Sequence, residues 1–330
     1  MVKKNFKVLS IDGGGIKGLY SAYILKYIQD DFKVDLHDYF DLFCGTSTGG
    51  IIALGLAKGV PIDDIIRFYE ERGPKIFPYK NRFTKVWGNM KQMLFCSKYS
   101  NNELANALKD VFGDSTIGDL EKQVCIPAIK LSNNQITVFK KDHSSGLNKH
   151  NSIPIVSVAL ATSAAPTYFP IVEIEETENS LFIDGGLAVN DPSIIGAIEA
   201  SKYFINTKND ERFDLLSISS VQDNCGLNYV KFKRKSSLLW IPKIINIIFS
   251  VQSNTHYFNM KFLKDILPCN HYFKIPSPEL SSHHRACISM DLASDLALKT
   301  LKNLANDTWL SIKNSEDMRR FFEKEIVALM

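Results

Sequence analysis

Cysteine is scarce in this sequence, and the cysteines present are scattered. The six of them, Cys44, Cys96, Cys125, Cys225, Cys269 and Cys287, include no C-x-x-C pair among 330 residues. That excludes a zinc site of that spacing and a disulfide-stapled scaffold, and predicts reduced, buried thiols in a cytosolic protein. Excess charge of one sign is also missing: 39 Lys and Arg against 36 Asp and Glu leave +3. So small a balance is no footprint for nucleic acid, which is not an expected partner. No run reaches the ~20 apolar residues of a spanning helix. The longest candidate, 238–249, is broken by Pro242, Lys243 and Asn246. Lys3, Lys4 and Lys7 lead into an apolar stretch that is too short for a signal-peptide core and ends at Asp12. A cytoplasmic protein is expected, at most resting on a membrane surface. No internal repeat, low-complexity linker or composition shift marks a boundary, so 1–330 reads as one domain with insertions.

What is present suits a globular enzyme. Apolar residues make up 45% and charged residues 23%, ordinary values for a chain that buries a large core. A short β-branched run at 8–11 predicts a buried strand, followed by a glycine turn and helical periodicity over 18–28. A second strand at 39–43 leads into a helix over 47–58, stopped by Gly59 and Pro61. Strand–turn–helix twice in sixty residues predicts an α/β domain with a mainly parallel sheet. Further on, helices are expected at 101–112, 155–162 and 194–204, hairpin strands at 124–131 and 135–140, and strands at 181–183 and 215–219. Residues 72–100 read as a surface excursion. Long helical patterns cover 236–266 and 291–313 in a C-terminal portion, 236–330.

Two glycine-rich turns carry chemistry. Gly45-Thr46-Ser47-Thr48-Gly49 is a G-x-S-x-G pentapeptide between a predicted strand and helix. Such a turn lifts a serine hydroxyl off the sheet, next to the positive end of the following helix. Asp12-Gly13-Gly14-Gly15-Ile16-Lys17-Gly18 gathers several backbone N–H groups before a helix, and such a nest binds an anion. The anion is either a phosphate, given GxGxxG spacing at Gly13, Gly15 and Gly18, or the oxyanion of an acyl-transfer intermediate. A nucleophile on the other turn favours the oxyanion. A Walker loop is excluded, because Lys17 is not followed by Ser or Thr in the required frame.

A hydrolytic serine also needs a base. None of the seven histidines sits in a recognisable motif; His283 and His284 follow two serines in a polar stretch. Asp184-Gly185-Gly186 is the better candidate, since it ends an apolar strand at a bend where a carboxylate can approach another turn.

Taken in order, these three turns resemble the patatin-like phospholipase family. The stretch from Ala161 through Pro166 to Pro170, and Asn190-Asp191-Pro192, look like the family too, so the similarity covers roughly residues 6–200. The resemblance implies a three-layer patatin-like fold, with a mainly parallel central sheet flanked by helices. It implies a Ser–Asp dyad without histidine, with Ser47 as nucleophile and Asp184 as base. Gly13, Gly14 and Gly15 would be oxyanion donors, and Lys17, Gly18, Gly45, Gly49, Gly185 and Gly186 supporting motif residues. No metal or other cofactor is implied. Lys17 departs from the family's usual arginine and loses the planar fork. Asp191 stands where plant members have a second asparagine.

The implied substrate is the fatty-acyl ester of a membrane phospholipid, reached by peripheral contact with the inner face of the membrane. Lys231, Lys233, Arg234 and Lys235 precede an apolar helix beginning Leu238, Leu239 and Trp240. That arrangement reads as a buried helix with a solvated basic lead-in, or as a surface that docks on anionic lipid. The mixed stretch from Phe77 through Tyr79, Lys80 and Arg82 to Trp87 reads as a surface loop, a lid or a lipid-facing rim. Chains of this length resemble bacterial antiphage effectors whose phospholipase is switched on by a cyclic nucleotide, and a homo-oligomer is compatible with that reading. The rival is a constitutive lysophospholipase or esterase. A non-catalytic nucleotide-binding protein is a further alternative, disfavoured because Asp35 and Asp38 precede the second predicted strand instead of following it, and a non-catalytic storage or scaffold relative is another, disfavoured by the intact Ser47 and Asp184.

Overall fold

Alternation along the central strands sets the architecture. In β1 (Phe6–Ile11), Leu9 and Ile11 point into one apolar core and Val8 into another. The same division runs through β2 (Leu42–Gly45), where Phe43 faces the first core and Leu42 and Cys44 the second. A strand buried on both faces needs helices on both sides, the usual situation of a parallel sheet. The computed structural model describes residues 5–78, 99–144, 149–222 and 237–326. The predicted stretches 79–87 and 231–235 lie outside the described residues.

The first core is roofed by α1 (Gly18–Phe32), α2 (Thr48–Ala57), α3 (Asn101–Phe112), α4 (Ile155–Ser163) and a helix near the C-terminus. The second is closed by α5 (Ser193–Glu199) through Ala197 and by α6 (Ser237–Leu263) through Met260. Between these layers lie β3 (Gln123–Lys130), β4 (Gln135–Phe139), β5 (Val172–Ile174), β6 (Ser180–Asp184), β7 (Phe213–Ile218) and β8 (Cys269–Ile275). The sheet order is β5-β6-β3-β2-β1-β7-β8, with β4 on β3. Strands β3, β2, β1, β7 and β8 run parallel, while β6 and β4 pair antiparallel with β3. Two further helices are α7 (Asp295–Ile312), which roofs the first core, and α8 (Glu316–Ile326). A three-layer α/β fold with a mainly parallel sheet is thus observed.

Several boundaries move for physical reasons. Residues 39–43 do not form one strand. A helical turn, Leu36–Tyr39, is capped by the Asp35 carboxylate, which accepts from the His37 and Asp38 amides. Asp41 then bonds Lys7 through backbone and side chain, so pairing begins at Leu42. The helix predicted from 291 starts at Asp295 with Ser294 as its cap. The residues just before it form a connection that crosses the glycine turn. Strand β8 was not predicted at all.

The topology brings the carboxyl ends of β1 and β2 to one edge, where Ile11 pairs with Gly45. Asp184 ends β6 opposite Ala128, three residues past the Cys125 that pairs with Cys44. All three turns therefore meet at the edge where open α/β sheets bind ligands.

Candidate active site

Ser47 sits on a strained elbow. Its φ of 54° and ψ of −125° are rare for a residue with a side chain. The strain follows from the close approach of α2 to the sheet. A Cβ on Gly45 would strike the Gly49 carbonyl, and one on Gly49 would strike the Ile11 carbonyl. Ser47 precedes α2 without capping it, so its hydroxyl is not used by the helix end. Thr162 steadies the elbow: its Oγ1 accepts from the Ser47 amide at 3.0 Å and donates to the Pro127 carbonyl at 2.6 Å. Thr46 Oγ1 donates to the Val189 carbonyl at 2.7 Å, tying the elbow to the segment after Asp184.

Asp184 is fully buried. Its Oδ1 accepts from the Gly186 amide at 2.7 Å, whereas Oδ2 has no hydrogen-bond partner. Desolvation pushes its pKa up to about 7, against the opposing pull of the Gly186 amide and the Ser47 hydroxyl. Ser47 lies close enough for its hydroxyl to act on the carboxyl. Gly185 allows the bend, because a side chain there would meet the Pro127 carbonyl.

The glycine turn is pinned from three sides. Gly15 has φ of 61° and lies against the Met290 carbonyl, which accepts from the Ile16 amide at 2.9 Å. Gly14 leaves no room for a Cβ beside Ser220. Gly13 packs against Ser47 and Asn190, and its amide donates to the Asn190 carbonyl at 3.1 Å. Of the three amides expected to face an oxyanion, that of Gly13 is therefore already engaged. Among the described residues, no backbone acceptor takes the amides of Gly14 or Gly15. Lys17 points away from this nest and donates to the Val221 carbonyl at 2.9 Å, while Gly18 lets α1 pass close to Thr48.

Sequence reasoning missed the cation beneath the site. Lys274, on β8, places its ammonium 3.1 Å from Asp12 Oδ1 and 2.6 Å from Asp191 Oδ2. Both carboxylates are completely buried. Desolvation, helped by the neighbouring Asp191 charge, raises Asp12 to about 7 despite Lys274. Burial also disfavours ionised Asp191, but the ammonium and hydrogen bonds from Lys274 and Ser193 outweigh it and hold that pKa low. Lys274 thus joins the residue that opens the glycine turn to the loop that follows Asp184. A strand containing His271 and Lys274 carries little hydrophobic signal, and only the three-dimensional neighbours of Lys274 show its purpose. Met290 and Ser253 were likewise invisible, since both act through distant chain segments.

Ser47 opens into an apolar cavity with about 580 Å³ of empty space, continuous with solvent. Ile51, Phe68, Tyr168, Phe169 and Met290 are among its walls. A nucleophile at the mouth of such a space suits an ester with a long hydrocarbon arm. Among the described residues, no group of three or more His, Cys, Asp or Glu side chains is arranged to hold a metal ion.

A family model described as "Patatin-like phospholipase" matches residues 9–198. A "cGAMP-activated phospholipase" of Pseudomonas aeruginosa is 30% identical over 91% of this chain and 87% of its own length. A protein of the same name from Escherichia coli is 30% identical over 97% of this chain and 93% of its own. The solved structure of VipD from Legionella pneumophila covers 93% of this chain and 67% of that one, at 12% identity and a TM-score of 0.41.

Proposed function

The chain belongs to the patatin-like phospholipase family, a family of lipid acyl hydrolases, and we propose that it performs this hydrolysis through a Ser47–Asp184 dyad. The observation that carries the assignment is the buried Asp184 carboxyl, one oxygen left without a partner, close to a serine held at the mouth of an apolar cavity. Ser47 Oγ attacks the ester carbonyl carbon while its proton passes to Asp184 Oδ2. The carbonyl oxygen becomes an oxyanion and is received by the Gly14 and Gly15 amides, with Gly13 shaping the turn. Collapse breaks the bond to the alcohol, which leaves as a lysolipid with the proton from Asp184. Water then loses a proton to Asp184 and attacks the acyl-serine; the fatty acid departs and Ser47 recovers its proton. A pKa near 7 suits a group that must take and return a proton near neutrality.

The cavity supports a long acyl chain as the recognised portion. The printed names of the two bacterial relatives support activation by a cyclic nucleotide. Four described cysteines are free thiols, which fits work at the inner face of the membrane in a reducing compartment. No helix among the described residues is long and apolar enough to cross a membrane.

The test is fatty-acid release from mixed phospholipid vesicles by wild type, Ser47→Ala and Asp184→Asn, with and without a panel of cyclic di- and trinucleotides. Release by wild type alone, and only with one nucleotide, is expected. Release without nucleotide keeps the dyad and removes the gate, whereas turnover by Ser47→Ala refutes the dyad.

A further inference from the structure

Helix α6 has two faces with different work. Its inner face holds the loop that follows Asp184. Asn190 Nδ2 donates to Ser253 Oγ at 2.9 Å, Gln252 Nε2 to the Leu187 carbonyl at 3.3 Å, and His256 Nδ1 to the Asp191 carbonyl at 2.8 Å. Ile245 and Phe249 bury against Met290, a wall of the cavity.

Among the described residues, several apolar side chains on the outer face are left uncovered, with the exposed Asn254 and Thr255 between them. Ile247, Val251, Phe258 and Phe262 are 38%, 55%, 60% and 59% exposed. Their spacing of four, seven and four residues places them on a single stripe of the helix. The rings of Phe258 and Phe262 pack on each other at 4.9 Å, leaving an aromatic ridge facing solvent. Ile266, just past the helix, is 79% exposed. From 237 to 266 the sequence contains one acid, the exposed Asp265, against Lys243, Lys261 and Lys264. Lys261 lies with its ammonium 4.5 Å from the Tyr257 ring. Ile198 on α5, which packs beside α6, is also half exposed.

We propose that this stripe docks the chain on an anionic lipid surface, with the aromatic ridge entering the headgroup boundary and the lysines resting on the lipid charge. Aromatic and aliphatic residues on one face with basic residues alongside are the pattern of an interfacial helix. Charge decides between occupants. A second copy of this chain would set three lysines against three lysines with a single acid, Asp265, to answer them, whereas anionic headgroups complement the net positive face. The inference rests on the phospholipid reading and deepens it, because one helix would meet the membrane on one side and hold the catalytic loop and cavity wall on the other.

Docking is separable from hydrolysis in the Ser47→Ala chain. Co-sedimentation with phosphatidylglycerol–phosphatidylcholine vesicles is expected, with at least tenfold weaker binding to pure phosphatidylcholine. Adding Phe258→Asp and Phe262→Asp should reduce binding to the anionic vesicles at least tenfold, with the unfolding midpoint unchanged as a check on the fold. Lys261→Glu with Lys264→Glu should weaken binding more at 50 mM than at 300 mM salt. Undiminished binding by the double Phe variant overturns the proposal, as does equal binding to both vesicle types. A lower sedimentation coefficient for that variant without lipid assigns the face to a second copy and also overturns it. Hydrolysis of a soluble short-chain ester by the wild type and its loss in Ser47→Ala test the dyad independently, so failure of docking and failure of the enzyme assignment are distinguishable.

Discussion

Replacing Asp184 by Asn removes a charge that the fold keeps out of water, and the effect is readable in stability as well as in activity. Burial raises the carboxyl from 3.8 to about 7, so the folded chain holds this proton more tightly than the unfolded chain does. Stability from this group is complete below pH ~4, is lost as pH rises towards 7, and levels off above it. The shift is 7 − 3.8, or about 3 units, and at ~1.4 kcal/mol per unit the full cost of ionisation is on the order of 4 kcal/mol. Between pH 5 and pH 8 the change is about 2.5 kcal/mol, since part of the cost is already present at pH 5. The isosteric amide keeps an oxygen for the Gly186 amide and does not titrate. Every other titrating group, Asp12 included, is common to both proteins and cancels in the difference. Urea unfolding of both proteins at pH 5 and pH 8 should show the advantage of Asp184→Asn growing by about 2.5 kcal/mol. In parallel, log kcat/KM of the wild type for a soluble ester should rise one unit per pH unit and flatten above about pH 7. A pH-independent stability difference, with an activity midpoint near pH 4, would refute the desolvated base.

Lys274→Met strands Asp12 and Asp191 without their cation and should destabilise the fold by about 3–5 kcal/mol in urea unfolding. Adding Asp191→Asn should recover a substantial part, and a single variant as stable as wild type would show that the triad matters little. Ile51→Phe narrows the cavity one helical turn beyond Ser47. The ratio of palmitoyl-ester to butyryl-ester kcat/KM should fall about tenfold, and an unchanged ratio would place the acyl chain elsewhere.

What the sequence disclosed was local. Gly45, Gly49, Gly185 and Gly186 are legible because a turn needs certain backbone angles and clearances, and those needs are written within five residues. The alternating apolar strands and the helices over 101–112 and 155–162 were legible for a similar reason: their periodicity is short-range. The hidden parts depend on distant segments. Lys274 reads as an ordinary surface residue until β8 is placed beside β7, where Asp12 and Asp191 wait for it. The engagement of the Gly13 amide by Asn190 joins residues 177 positions apart. The predicted strand at 39–43 failed because Asp35 and Asp41 offer the backbone side-chain partners that compete with the sheet.

The bond from Ile16 to the Met290 carbonyl also has a meaning in time. The residue that fixes the glycine turn follows Ser47 by about 240 residues, tens of seconds at the usual ~5–20 residues per second. During that interval the nascent chain carries Ser47, and later Asp184, without β8 or the crossing connection that sets the turn's shape. Synthesis and competence are thereby separated, and the turn takes its final shape only once Met290 has been made.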